Sequence, residues 1–234
     1  LDGDILDEGQ ASPELANKMG ALLARLGLAL KDFDHPGSNP PSLWDMKHAA
    51  GLRELLSCME NRDLRQLASA TLDQFDKHAQ PRLRSLRTQV IHNDLNPGNI
   101  LLEKSEPETI SGVIDFGDLV KSPLIIDLAV AAAYQLSEGD DPLSGALPMI
   151  AGYNVIRPLE APEIELLSLL ICTRLVTSLL IGSYRVKLFP ENRDYLLISQ
   201  KSVIERLIKM QQISMKDAQD RIKTCCEEAE SEPG

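Results

Sequence analysis

Asp94 and Asn99 stand five residues apart in the run His92-Asn93-Asp94-Leu95-Asn96-Pro97-Gly98-Asn99, and a second acid, Asp115, follows in Ile114-Asp115-Phe116-Gly117-Asp118. A carboxylate, an amide and another carboxylate in this order suit one kind of chemistry. Phosphoryl transfer to a hydroxyl needs a carboxylate to orient or deprotonate the attacking oxygen, and oxygen ligands to hold Mg²⁺ against the nucleotide phosphates. Asp94 fits the first role; Asn99 and Asp115 fit the second. Ordinary turn chemistry accounts for Asn-Pro-Gly alone. It does not account for two linked motifs in the right order.

Elements must bring these side chains together. Gln89-Val90-Ile91, Ile100-Leu101-Leu102 and Gly112-Val113-Ile114 are short β-type runs separated by polar loops. A hairpin made of the second and third returns Asp115 to the side of Asn99, where an acid and an amide can share one metal ion. The remainder reads as helix. Ser12-Pro13-Glu14 supplies a capping hydroxyl, a first-turn proline and an acid at the positive end of the dipole. Helical patterns then cover roughly 43–59, 64–79, 124–134, 146–153, 162–184 and 194–210, with a breaker-rich loop at 35–41. The expected fold is mainly α with a small β-hairpin insert, an α+β arrangement. Residues 1–212 form one globular unit, and 213–234 a charged, frayed tail.

Composition narrows the field further. A net charge of -11 over 234 residues repels a phosphate backbone, which argues against nucleic acid as a partner. The four cysteines, Cys58, Cys172, Cys225 and Cys226, lack metal-site or disulfide-framework spacing, so a reducing, cytoplasmic setting is expected. The longest apolar stretch, Ile164 to Gly182, contains Glu165 and Arg174 and reads as a buried core helix rather than a membrane span. The acidic start of the chain differs from a signal peptide. The lack of an initiator Met points to a fragment.

The two motifs together, His-Asn-Asp-Leu-Asn-Pro-Gly-Asn-Ile-Leu and Ile-Asp-Phe-Gly-Asp, resemble the aminoglycoside phosphotransferase and choline kinase superfamily. The resemblance implies the C-terminal lobe of a protein-kinase-like fold. It also implies Mg²⁺, GTP or ATP as phosphoryl donor, and a small amine or amino acid as acceptor. Asp94 takes the catalytic position, with Asn99 and Asp115 as metal ligands. Asp127, in Ser122-Pro123-Leu124-Ile125-Ile126-Asp127, matches an acid that opens a helix and braces the catalytic loop.

Leu43-Trp44-Asp45-Met46-Lys47-His48 and Leu188-Phe189-Pro190-Glu191-Asn192 are similar to segments of the hydroxylysine kinase branch, whose acceptor is 5-hydroxylysine and whose donor is GTP. Homoserine, choline and aminoglycoside acceptors remain as alternatives, as does a kinase-like binding module without turnover. Family members carry an N-terminal, phosphate-covering lobe. Nothing in residues 1–10 matches it, so that lobe is expected in the complete protein.

Further candidates surround the motif. His92 suits a structural role bracing the loop, and Asp127 a helix cap. Asp118 is a candidate for metal or substrate ammonium, or a solvated acid. Arg174, a charge within an apolar helix, requires a partner: a substrate carboxylate or a structural acid. Trp44 and Tyr184 line the acceptor pocket or fill core.

Overall fold

The computed structural model describes residues 3–6, 11–39, 41–196, 198 and 200–231, with the backbone alone at 107. Expectations for residues 1, 2, 7–10 and 232–234 lie outside that set. The described part is built from eight α-helices and five short strands. In chain order these are β1 (Asp4–Ile5), α1 (Pro13–Ala29), α2 (Arg62–Gln74), β2 (Thr88–Ile91), β3 (Ile100–Glu103), β4 (Glu106–Val113) and β5 (Val120–Pro123). There follow α3 (Leu124–Tyr134), α4 (Leu143–Ile156), α5 (Ala161–Leu188), α6 (Arg193–Leu196), α7 (Gln200–Met210) and α8 (Met215–Ser231).

The start of α1 follows its sequence signature: Ser12 Oγ accepts the Leu15 N–H at 3.0 Å, with Pro13 and Glu14 in the first turn. Residues Met46–Cys58 form 3₁₀ turns rather than the expected α-helix. Their apolar residues, Met46, Ala49, Leu52 and Leu55, recur every third position. That spacing lines up along one edge of a three-per-turn helix and not of a 3.6-per-turn one.

Strands β3 and β4 pair antiparallel with Ile100 opposite Val113, as the hairpin reading requires, and β1 adds to the other edge of β3. Strand β2 stands apart from this sheet. It pairs with β5, Ile91 opposite Val120, in a separate two-stranded sheet. The single insert is therefore two small sheets flanking the loop that holds Asp94.

Helix α3 is apolar at nearly every position and buried from Leu124 to Ala133; it forms the centre against which α5 packs. By length and composition α5 could cross a membrane, but most of it is enclosed by its neighbours. Its first turn is fixed by the buried Glu163, which accepts the Glu160 N–H at 2.9 Å and pairs with Arg87 at 2.5 Å. The frayed tail expected after 212 is instead α8, which buries Ala218, Ile222 and Cys226 against α4 and α5. Those three residues are four apart, a helical stripe beneath the Lys- and Glu-rich surface that suggested fraying.

Helices α1 and α4 cross closely enough to exclude side chains at the contact. A Cβ on Gly20 would lie 1.9 Å from the Met149 carbonyl oxygen, and one on Gly152 would lie 2.0 Å from the Asn17 carbonyl oxygen. Glycine inside a helix costs about 1 kcal/mol relative to alanine, so close packing must outweigh propensity here. Gly20→Ala is therefore expected to lower unfolding free energy by about 1–3 kcal/mol in urea titration. A gain of about 1 kcal/mol, the propensity value, would contradict the close crossing.

Candidate active site

The site is assembled on the loop between β2 and β3. Strand β2 ends at Ile91, and the next two residues are anchored from below by Asp127 in the first turn of α3. Asp127 is 1% exposed; its Oδ1 accepts the Asn93 N–H at 2.7 Å and its Oδ2 accepts the His92 N–H at 3.2 Å. The helix-cap reading of Asp127 is corrected here: the group whose N–H donors it satisfies is the loop, not its own helix, whose N-terminus has no side-chain cap. Burial pushes the Asp127 carboxyl up to about 6, against the opposing influence of the two N–H groups and His92.

Asn93 has φ 66°, in the left-handed region where asparagine is among the few tolerated side chains. This reversal turns the chain so that Asp94 leaves the strand direction. His92, fully buried, fills the space beneath: its Nδ1 accepts the Asp94 N–H at 3.3 Å, and its Nε2 lies 3.3 Å from the Ile114 carbonyl oxygen. One imidazole thus ties the Asp94 loop to the end of the β4 segment. Phe116 meets the His92 ring edge-on at 5.0 Å.

The Asp94 side chain, 22% exposed, receives three donors. Asn96 Nδ2 and Asn99 Nδ2 donate to Oδ2 at 2.9 and 3.2 Å, and the Arg174 guanidinium donates to Oδ1 at 3.2 Å. Asn99 Nδ2 also donates to the Asp94 carbonyl at 2.8 Å. Burial raises the Asp94 carboxyl above its ordinary value, with the Asp118 charge adding to the rise; Arg174 is the largest opposing influence, followed by Asn96 and then His92.

The hairpin brings Asp115 to the same place, because the Ile114 N–H donates to the Asn99 carbonyl at 3.0 Å. Asp115 is exposed, adopts φ 61°, and folds its Oδ1 back onto the Gly117 N–H at 3.1 Å. Since the Asn99 amide nitrogen faces Asp94, its Oδ1 is directed away. An amide oxygen and a carboxylate are the hard donors that Mg²⁺ takes. Among the described residues no group of three or more His, Cys, Asp or Glu side chains is arranged for metal binding. Asn99 and Asp115 therefore fit a cation that completes its shell with water and phosphate oxygens, the usual habit of Mg²⁺.

Arg174, 4% exposed, is held on three sides. Besides Asp94, it donates to the Tyr134 hydroxyl at 3.1 Å, and its guanidinium lies 4.5 Å from the centre of the Trp44 ring and 5.8 Å from that of Tyr134. Of the two partners expected, a substrate carboxylate or a structural acid, the structure supplies an acid of the chain, Asp94. Trp44 is positioned by its neighbour: buried Asp45 accepts the Ser122 hydroxyl of β5 at 2.9 Å and caps the 3₁₀ segment through the Lys47 N–H. Trp44 and Tyr134 also line a cavity of about 160 Å³ between α5 and α7.

Tyr184 is not brought to this cavity. Ser178, Ile181, Gly182 and Arg185 form the α5 face that lines it, and position 184 falls off that i, i+3, i+4, i+7 stripe. Tyr134 and Asn96 escaped sequence reasoning. Asn96 sits inside the motif; Tyr134 is the polar aromatic ending an otherwise apolar helix.

The model of the phosphotransferase enzyme family matches residues 1–159. The chain is 28% identical over 212 residues to hydroxylysine kinase of Mus musculus, covering 86% of this chain and 56% of that protein. It is 35% identical over 176 residues to homoserine kinase of Rhodopseudomonas palustris, covering 69% of this chain and 51% of that protein. The chain thus spans just over half the length of the curated relatives it matches. Among solved structures, the GDP complex of wild-type aminoglycoside 2'-phosphotransferase-IIIa superimposes with a TM-score of 0.60 at 20% identity, over 88% of this chain and 68% of that one, a likeness of fold.

The burial of Asp127 has a pH signature. A carboxyl whose folded value lies near 6 rather than 3.8 binds its proton more tightly when folded, so its contribution to stability is complete below about pH 3.8 and is lost as pH rises through about 6. The difference corresponds to about 3 kcal/mol. Urea unfolding at pH 4.5 and 7 is expected to show wild type losing stability relative to Asp127→Asn across that interval. A constant difference would contradict the assigned burial.

Proposed function

This chain belongs to the phosphotransferase enzyme family, and from that premise we propose that it forms the C-terminal, acceptor-facing lobe of a small-molecule kinase. In this reading the whole protein transfers the γ-phosphoryl group of GTP or ATP to the side-chain hydroxyl of 5-hydroxylysine. One observation above others supports it: Asp94 is half-enclosed, held by three donors, and set beside an amide and an acid suited to Mg²⁺. The match to the mouse hydroxylysine kinase supports the acceptor. The GDP seen in the aminoglycoside phosphotransferase is compatible with a guanine donor.

Asp94 orients the acceptor hydroxyl and takes its proton as the oxygen attacks phosphorus. A carboxyl raised by burial is the stronger base for that step. Asn96 and Asn99 fix the rotamer of Asp94 so that the attacking oxygen meets it in one orientation. Asn99 and Asp115 would hold Mg²⁺, which would supply charge neutralisation at the transferring phosphoryl group. Asp118 is near enough to influence Asp94, and it adds negative charge for an acceptor ammonium. The net charge of -11 assists the approach of a cationic amine. Nucleotide clamping belongs to a lobe contributed by residues beyond those matched here, consistent with the chain spanning 56% of the mouse relative.

Homoserine is the second acceptor to test, on the strength of the 35% identity to the bacterial enzyme. A screen of hydroxylysine, homoserine, choline and an aminoglycoside with GTP or ATP and Mg²⁺, using the full-length protein, is expected to give the highest kcat/KM for hydroxylysine. Preference for any other acceptor would overturn the substrate assignment. No transfer to any of them would overturn the kinase reading. Arg174→Met removes the largest influence lowering the Asp94 carboxyl. Asp94 then titrates higher, and the acidic limb of the kcat profile moves to higher pH. A limb that stays in place contradicts Asp94 as the base.

A further inference from the structure

The cavity between α5 and α7 has an electrostatic character opposite to that of the chain. Its walls include Arg185, Arg206 and Gln200 and, among the described residues, no Asp or Glu, in a protein of net charge -11. Arg206 is 8% exposed, and among the described residues no acceptor is found for its Nε. Gln200 Nε2 is a second buried donor without an acceptor. Gly182 on α5 leaves room for that amide, since a Cβ there would stand 2.4 Å from Gln200 Nε2. A buried donor left without an acceptor costs about 1–3 kcal/mol. Two arginine side chains on one cavity with no acid among its described lining residues, and two buried donors beside it without acceptors, describe a site suited to an anion.

The cavity adjoins the reacting centre. Trp44 and Tyr134 line it, and both also contact Arg174, which donates to Asp94. Arg206 also borders a second cavity, of about 550 Å³, but that one contains Glu138 and lacks Gln200 and Arg185. Gln200 also borders a third cavity, one that contains Glu60; of the three, only the first brings Arg185, Gln200 and Arg206 together without an acid among the described residues. Arg174 also has two buried donors without acceptors, Nε and Nη1, but its Nη2 is held by Asp94 and Tyr134 and it does not line this cavity.

We propose that this cavity binds the carboxylate of an amino-acid acceptor, with Arg206 and Gln200 as its donors and Arg185 at the rim, so that the hydroxyl at the other end of the molecule reaches Asp94. The proposal rests on the kinase reading and deepens it: the acceptor class becomes hydroxylated amino acids, with simple amino alcohols as poorer substrates.

The test compares each amino acid with its decarboxylated counterpart: hydroxylysine with 1,5-diaminopentan-2-ol, and homoserine with 3-aminopropan-1-ol. It uses the full-length protein with wild type, Arg206→Met and Gly182→Ala. Wild type is expected to favour the amino acid. Arg206→Met raises KM for it by about tenfold or more, the scale of a lost charged hydrogen bond, leaves kcat and the decarboxylated compound little changed, and preserves or raises the melting temperature because a buried donor without an acceptor is gone. Gly182→Ala, which displaces the Gln200 amide, gives a smaller rise in the same KM. An unchanged KM with Arg206→Met, or a loss of folding caused by it, overturns the proposal while hydroxylysine turnover leaves the kinase reading standing. If homoserine is the acceptor and Arg206→Met raises its KM, the carboxylate site stands and the hydroxylysine assignment falls. A best acceptor without a carboxylate defeats both.

Discussion

A single buried carboxylate organises this molecule. Asp127, in the centre of the fold, accepts the backbone N–H groups of His92 and Asn93, and through them fixes the left-handed turn at Asn93 that precedes Asp94. Without those acceptors two buried N–H groups would lose their partners, each at about 1–3 kcal/mol. The loop would then have no reason to hold its reversal. The direction in which Asp94 leaves the strand follows from this contact, and the Asn96, Asn99 and Arg174 donors then hold its side chain.

The two small sheets and the central helix serve the same end. Strand β2 delivers the chain to Asp127, β5 leads directly into the helix that carries it, and their pairing closes the circuit. The β3–β4 hairpin is a second, independent clamp, tying Asn99 to Ile114 through the backbone. Two left-handed residues, Asn93 and Asp115, mark where each clamp turns toward the reaction. Such strained positions concentrate where geometry is held for function.

Much of this was legible because its causes are local. Ser12-Pro13-Glu14 announced α1, and the spacing of Asp94, Asn99 and Asp115 with the intervening β runs announced the hairpin. What escaped notice depends on partners distant in sequence. Nothing near Val90 says that it pairs with Lys121, and nothing near Arg174 says that its acid is Asp94, eighty residues away. The 3₁₀ segment was readable in principle from its period of three, but helical propensity suggested α. Helix α8 was obscured because its buried stripe of Ala218, Ile222 and Cys226 is narrow against a charged surface. Tyr184 shows the converse error: an aromatic on the right helix but the wrong face.

The central claim is that Asp94 acts on the acceptor hydroxyl rather than merely shaping the loop. The most direct measurement is steady-state kinetics of Asp94→Asn in the full-length protein with hydroxylysine and GTP. Asparagine preserves size and keeps one acceptor oxygen for these neighbours, but it cannot take a proton. The account predicts a fall in kcat of about 10²–10⁴-fold with KM changed little. A variant that retains wild-type kcat, with any loss confined to KM or stability, would contradict it.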